Sequence, residues 1–248
     1  MIEVSHVTKQ YGKKQNMFIA LDDITFSIPD GKSVAIIGKS GSGKSTLMHI
    51  MSGLDHPNSG KVIIDGEDIS QMKQKQVDRF RAEKIGFIFQ SFFVQGNESV
   101  YNNVSLPLEI AGVSRTKRSD RIKKALTSVE LADKIKNKAK DLSGGQKQRL
   151  AIARAIANEP RIIFADEPTG NLDSATGDKI ERLLFAYNKK RGATLIIVTH
   201  DPDLAAKCDV QLQIRDGKII SEQDKKRESA TPRSRTRTTT RQSQRRVQ

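Results

Sequence analysis

Eight residues constrain this chain more than any others: Gly38-Lys39-Ser40-Gly41-Ser42-Gly43-Lys44-Ser45. They follow the short apolar run Val34-Ala35-Ile36-Ile37, which reads as a buried strand. They precede Thr46-Leu47-Met48-His49-Ile50-Met51, which reads as a helix. Strand, glycine loop and helix, with G-x-x-x-x-G-K-S at the turn, make a phosphate-binding loop. The glycines let successive N–H groups converge on one point at a helix N-terminus, where free donors and the helix dipole favour an anion. Lys44 adds a cation aimed at the β- and γ-phosphates, and the Ser45 hydroxyl is offered to a magnesium ion.

The rest of the chain supplies a sheet for that loop to sit on. Residues 2–8 and 18–28 read as strands of an antiparallel layer, and Pro29-Asp30-Gly31-Lys32 as a turn. The strand at 33–37 and a helix at 44–53 flank the loop. Residues 58–66 read as a strand, 71–84 as a helix and 85–90 as another strand. From Ser91 to Pro160 helices dominate, at 99–104, 114–130 and 144–157, with Ser114 an N-cap candidate. Strand and helix then alternate: 161–166, 174–191 and 194–199. A closing hairpin at 209–221 turns on Asp216-Gly217. Apolar runs alternating with helices imply a parallel sheet covered on both faces. The fold class expected is α/β: a nucleotide-binding core with an antiparallel β layer and an inserted α-helical subdomain. The boundaries are 1–90 and 161–224 for the core, 91–160 for the helical part and 225–248 for a basic tail.

Composition limits what such a chain can be. No apolar run reaches the ~18–20 residues that cross a bilayer, and the first residues lack the apolar stretch of a signal peptide. A single cysteine, Cys208, leaves no internal disulfide and fits a reducing compartment. The expected location is therefore cytosolic. The formal charge of +14 is uneven: residues 225–248 hold nine Lys/Arg and one Glu, so +8 falls there and +6 on the remainder. From Ser229 on there is almost nothing apolar to bury, so the tail is expected to be disordered when free. Attraction to anionic lipid is one use for it. Nucleic acid is another, but no aromatics interleave for stacking.

Two further stretches carry chemistry. Ile162-Ile163-Phe164-Ala165-Asp166-Glu167 is an apolar strand ending in two carboxylates. Asp166 is placed to hold magnesium. Glu167 is placed to orient and deprotonate an attacking water, help worth on the order of 10²–10⁴-fold. Leu142-Ser143-Gly144-Gly145-Gln146 opens a helix, with Ser143 and Gln146 at capping-box spacing. Two consecutive glycines are costly at a helix start unless something approaches the backbone closely; a phosphate is such a partner.

L-S-G-G-Q between G-x-x-x-x-G-K-S and an apolar strand ending in Asp-Glu resembles the ATP-binding cassette (ABC) family, over about residues 1–224. The resemblance implies a RecA-like P-loop NTPase core and ATP with Mg²⁺ as cofactors. Beside Lys39, Ser40, Gly41, Ser42, Gly43 and Thr46 of the loop, it assigns roles by position. Gln90 matches the glutamine that contacts magnesium and water. Asp173, in Gly170-Asn171-Leu172-Asp173, matches the loop where two cassettes touch. His200 matches the histidine on the γ-phosphate, and Tyr11 the aromatic stacked on adenine. His6, His49 and His56 get no role. Cassettes of this family dimerise head to tail, so that Ser143, Gly144, Gly145 and Gln146 of one chain close over the nucleotide of the other. A homodimer is expected.

The runs Ile85–Gln90, Asn102–Leu108 and Pro168–Asp173 look like the MacB/LolD/FtsE group of macrolide and peptide exporters, lipoprotein-release ATPases and the cell-division cassette. That implies an ATPase peripheral on the inner face of the cell membrane, driving a separately encoded permease. The sequence departs from the group at Ser91-Phe92-Phe93-Val94-Gln95-Gly96-Asn97 and at Asn102, on the surface expected to meet the permease. Phe92-Phe93-Val94 is either a docking patch or packing within the helical part. The competing class is a soluble ABC ATPase acting on nucleic acid or ribosomes, motivated by the tail.

Overall fold

The structure, a computed structural model, describes residues 1–13 and 16–224. In chain order its elements are β1 (Ile2–Tyr11), β2 (Phe18–Ile28), β3 (Ser33–Ile37), α1 (Lys44–Met51), β4 (Ser59–Ile64), β5 (Glu67–Asp68) and α2 (Gln74–Lys84). There follow β6 (Ile85–Ile88), α3 (Val100–Ile110), α4 (Arg115–Ser128), α5 (Gly144–Ile156), β7 (Ile162–Asp166) and α6 (Ser174–Arg191). The chain closes with β8 (Thr194–Thr199), α7 (Pro202–Lys207), β9 (Val210–Arg215) and β10 (Lys218–Asp224).

These strands form two sheets. The four-stranded sheet runs β2-β1-β4-β5 and is antiparallel throughout. The six-stranded sheet runs β10-β9-β3-β8-β7-β6. Its strands β9, β3, β8, β7 and β6 are parallel, and only the edge strand β10 is antiparallel. The α/β architecture with an antiparallel layer is the one read from the sequence.

The alternation of side chains along a strand sorts the core into two faces. Phe164, Ile196 and Val198 point toward Leu47 and Met48 of α1 and toward Ile24 and Val62 of the antiparallel sheet. Their sequence neighbours Ile163, Ala165, Leu195 and Ile197 point the other way, onto Val104, Leu126 and Leu150 of α3–α5. The phosphate loop thus leaves the end of a strand buried on both sides.

Several boundaries move. β1 runs three residues past the expected end at residue 8, because bulges in its pairing with β2 carry the register on to Tyr11. The helix expected from 71 begins at Gln74. Asp68 Oδ1 accepts the Ser70 amide at 3.0 Å and caps a separate 3-10 turn, Ile69–Gln71. The helix expected over 99–104 continues to Ile110, past Pro107, which sits in its last turn. Ser114 holds the N-cap position of α4, but its hydroxyl meets Thr116 Oγ1 at 3.4 Å instead of a backbone amide. The hairpin turn is as read: Asp216 and Gly217 both have positive φ, 50° and 75°, as a two-residue type I′ turn requires. The basic tail and its expected disorder lie outside the described residues. Among the described residues, no helix is long and apolar enough to cross a membrane.

Candidate functional site

The loop from Gly38 to Thr46 borders a cleft of about 710 Å³ at the C-terminal end of the parallel strands. Close packing forces the loop's shape. Gly43, the N-cap of α1, has φ 105°, and a Cβ there would lie 2.6 Å from the Ala20 carbonyl oxygen. The first amides of α1 have no partner within the helix and face the cleft. Lys44 Nζ folds back to donate to the carbonyls of Gly38 at 2.9 Å and Lys39 at 3.0 Å. Ser42 differs from its neighbours: it is buried behind the loop and does not line the cleft.

The opposite wall comes from the ends of β6, β7 and β8. It brings together Gln90, Asp166, Glu167 and His200, four residues spread over more than a hundred positions of sequence. The Ser45 hydroxyl donates to Asp166 Oδ2 at 3.4 Å. Burial pushes the Asp166 carboxyl up, and the Glu167 charge beside it adds to that, with His49, Ser45 and Lys44 pulling the other way. Glu167 has φ +45°, in the left-handed region. Such a conformation in a non-glycine residue costs of order 1–3 kcal/mol and is found where function needs it. Its amide is held by the Val198 carbonyl at 2.9 Å. Its carboxylate accepts from Thr199 Oγ1 at 3.4 Å and meets His200 Nδ1 at 2.7 Å.

The donors around Asp166 are all oxygen: the Ser45 hydroxyl, the carboxylate and the Gln90 amide. That set suits a hard divalent cation, which would also relieve the repulsion between the two adjacent carboxylates. Among the described residues there is no cluster of three His, Cys, Asp or Glu fit to hold a metal.

Other expected site residues stand elsewhere. Tyr11 does not line the cleft. Its hydroxyl donates to Asp55 Oδ2 at 2.7 Å, with Lys9 Nζ 4.9 Å from its ring centroid. Burial and the Asp55 contact push its phenol up to about 12. Phe18, 58% exposed, lines the cleft instead, with its ring 5.7 Å from that of Tyr11. The sequence reading missed Phe18, although an aromatic at the start of a strand facing the loop was a usable signal.

Ser143, Gly144, Gly145 and Gln146 lie outside this cleft. The capping box is present: Ser143 N donates to Gln146 Oε1 at 2.9 Å, and Gln146 N to Ser143 Oγ at 3.3 Å. The two glycines differ. A Cβ on Gly145 would lie 2.6 Å from Thr176 Cγ2 of α6, whereas one on Gly144 meets nothing within 4 Å. The missing side chain of Gly145 thus makes room for α6. Asp173 N-caps α6, accepting the Thr176 amide at 3.0 Å. In the divergent stretch after Gln90, Phe93 points outward and is 68% exposed, while Val94 packs into the helical core.

The geometry agrees with comparisons to known proteins. Residues 21–170 match the model of the ABC transporter family. The chain is 42% identical over 221 residues to the lipoprotein-releasing system ATP-binding protein LolD of Syntrophus aciditrophicus, covering 89% of this chain and 99% of that one. It is 44% identical over 225 residues to the macrolide export ATP-binding/permease protein MacB of Neisseria meningitidis, covering 91% of this chain but 35% of that longer protein. Among solved structures, the dimeric ATP-binding cassette MJ0796 in a post-hydrolysis state bound to ADP and Pi is 38% identical, with a TM-score of 0.83. That superposition covers 90% of this chain and 98% of the other.

Proposed function

The chain belongs to the ABC transporter family and is an ATP-binding ATPase subunit related to LolD and MacB, and we propose that two copies share their ATP sites to drive a separate membrane permease. In this reading ATP lays its phosphates along Gly38–Thr46, with Lys44 turning from the loop carbonyls to the β- and γ-phosphates. The adenine rests on Phe18, whose ring is backed by that of Tyr11. Ser45, Asp166 and Gln90 are the residues that would hold Mg²⁺, which when bound neutralises charge on the phosphates. Glu167 accepts a proton from the attacking water, and His200, fixed by its 2.7 Å contact to that carboxylate, faces the γ-phosphate. The left-handed turn at Glu167 aims the carboxylate into the cleft.

The observation that carries the shared site is the separation of its halves. Ser143–Gln146 present an open backbone at Gly144, yet none of them reaches the cleft of their own chain. A second copy, contributing Ser143–Gln146 and Asp173, covers the nucleotide from the far side. The dimeric cassette MJ0796 supports this reading. A core of residues 1–90 and 161–224 carrying the phosphate loop, with a helical part at 91–160 carrying the cover, is the division of labour it requires.

The permease seats on an apolar groove between α2, β6 and α3, lined by Phe87, Phe89, Leu106 and Ile110, with Phe93 beside it. Leu54, Leu106, Ile110 and Phe93 are all exposed there, and such a patch on a soluble subunit marks a protein interface. The chain then works at the cytoplasmic face of the membrane. Its relatives are transport cassettes, so a role on nucleic acid or ribosomes is not favoured. Glu167→Gln tests the chemistry. It is expected to leave ATP binding intact and to slow phosphate release at least a hundredfold, in line with loss of a general base. Normal turnover by that variant would remove Glu167 from the role.

A further inference from the structure

Helix α5, which begins with the turn Ser143–Gln146, also grips the two segments leaving the ATP cleft of its own chain. Arg154 donates from Nη1 to the Phe93 carbonyl at 2.6 Å and from Nη2 to the Phe92 carbonyl at 3.1 Å. Those carbonyls lie two and three residues beyond Gln90, which lines the cleft. Gln148, 1% exposed, donates from Nε2 to the Pro168 carbonyl at 2.7 Å, one residue beyond Glu167. Asn171 Nδ2 in turn donates to the Gln90 carbonyl at 3.1 Å and closes the circuit between the two segments.

Both grips bear marks of a loaded contact. Burial pushes the Arg154 guanidinium down, and among the described residues no carboxylate pairs with it. Arg154 is half-buried along the groove wall, and among the described residues its partners there are two backbone carbonyls. Phe93 has φ +44°, a conformation rare for a bulky side chain. The Arg154 fork and an edge-on contact to Phe89, 5.4 Å between ring centroids, hold it there. At the other grip, Gln148 Oε1 is buried with no partner among the described residues.

We propose that Arg154 is a positioning residue that couples the two ATP sites of the dimer, by fixing the Gln90 segment of one site to the helix that covers the other. The proposal rests on the shared-site reading above. A shift of Gln90 on nucleotide binding pulls Phe92–Phe93, and through Arg154 moves α5 and with it the cover over the partner's nucleotide. A guanidinium suits this task because its planar fork spans two carbonyls, which a lysine ammonium does not.

The test measures ATPase rate against ATP concentration in the full chain. With two sites the Hill coefficient has an upper limit of about 2, and the wild type is expected to approach it. Arg154→Lys keeps the charge and loses the fork, so its coefficient is expected to fall toward about 1 while the ATP Kd stays within about twofold. Adding Phe93→Asn is expected to restore part of the cooperativity, since asparagine adopts the left-handed conformation without being held there. Gln148→Met cuts the second grip, is expected to lower the coefficient too, and carries the test if Arg154→Lys does not fold. Wild-type cooperativity in both single variants overturns the proposal. So does an Arg154→Lys variant that loses ATP binding and thermal stability together and gains nothing from Phe93→Asn, because that is a structural role only. A non-cooperative wild type that still dimerises with ATP rejects the coupling but leaves the shared site standing; one that never dimerises rejects both.

Discussion

Gly144 and Gly145 are neighbours in one motif, yet the structure gives them different reasons to be glycine, and alanine substitutions separate the two. At Gly145 a Cβ would stand 2.6 Å from Thr176 Cγ2, well inside van der Waals contact. Threonine in a helix keeps to two χ1 rotamers, so the methyl has few ways to turn aside. Overpacking of this kind costs about 1–3 kcal/mol. In a chain of this size each kcal/mol lowers Tm by roughly 2–4 °C, so Gly145→Ala is expected to melt about 2–12 °C lower. Thr176→Ala deletes the offending methyl and leaves its Cβ at 3.7 Å, so the double variant is expected to regain most of the loss. Gly144→Ala meets no atom and gains helix propensity, so it is expected to be as stable as the wild type or up to about 1 kcal/mol more stable. If Gly144 exposes its backbone to the partner's nucleotide, that same variant loses ATPase activity despite its stability. Differential scanning calorimetry and phosphate release on the four proteins settle the matter. A Gly145→Ala chain as stable as wild type, or one not rescued by Thr176→Ala, would refute the packing argument. A fully active Gly144→Ala chain would refute the functional one.

Three other outcomes are expected. Asp166 has a carboxyl raised above its ordinary range, chiefly by burial; its contribution to stability is therefore fully present below the unfolded-state pKa and is lost as pH rises through the folded value. Asp166→Asn is thus expected to gain stability over wild type, without nucleotide, as pH rises from acid to neutral, while losing Mg²⁺-dependent hydrolysis; a gap that does not grow with pH counts against the electrostatic origin. Tyr11→Phe cuts the hydrogen bond to Asp55 but keeps the ring, so ATP affinity measured by calorimetry should change by less than about twofold, whereas Phe18→Ala should lose roughly tenfold, as removal of a base-stacking aromatic costs about 1–3 kcal/mol. Phe164→Ala, in the fully buried centre of β7, is expected to cost about 3–5 kcal/mol in denaturant unfolding, and a loss below 1 kcal/mol would contradict its place in the core.

Local chemistry made much of this legible from the chain alone. The loop Gly38–Ser45, the strand ending in Asp166-Glu167, the helix 174–191 and the strand 194–199 each carry their own signal: glycines, an apolar run, or a cap such as Asp173 with Gly192 after the last turn. The insertion of β3 between β8 and β9 left no local trace, because it depends on pairing across more than a hundred and fifty residues. Side-chain reach was equally hidden. Nothing in Gly145 announces Thr176, nothing in Arg154 announces the carbonyls of Phe92 and Phe93, and Tyr11 turns to Asp55 because Lys9 and Asp55 already form a polar cluster there. Such contacts join segments distant in sequence, and only the packed structure brings them together.

In the proposed dimer Gly38–Ser45 form half of an ATP site and a second chain brings the other half. Sedimentation velocity of Glu167→Gln at micromolar protein tests it most directly. Without nucleotide, or with ADP, the variant is expected to sediment as a monomer. With ATP and Mg²⁺ it is expected to double its mass, and adding Gly144→Ala should abolish the doubling. A Glu167→Gln chain that binds ATP stoichiometrically and remains a monomer would rule out a site shared between two chains.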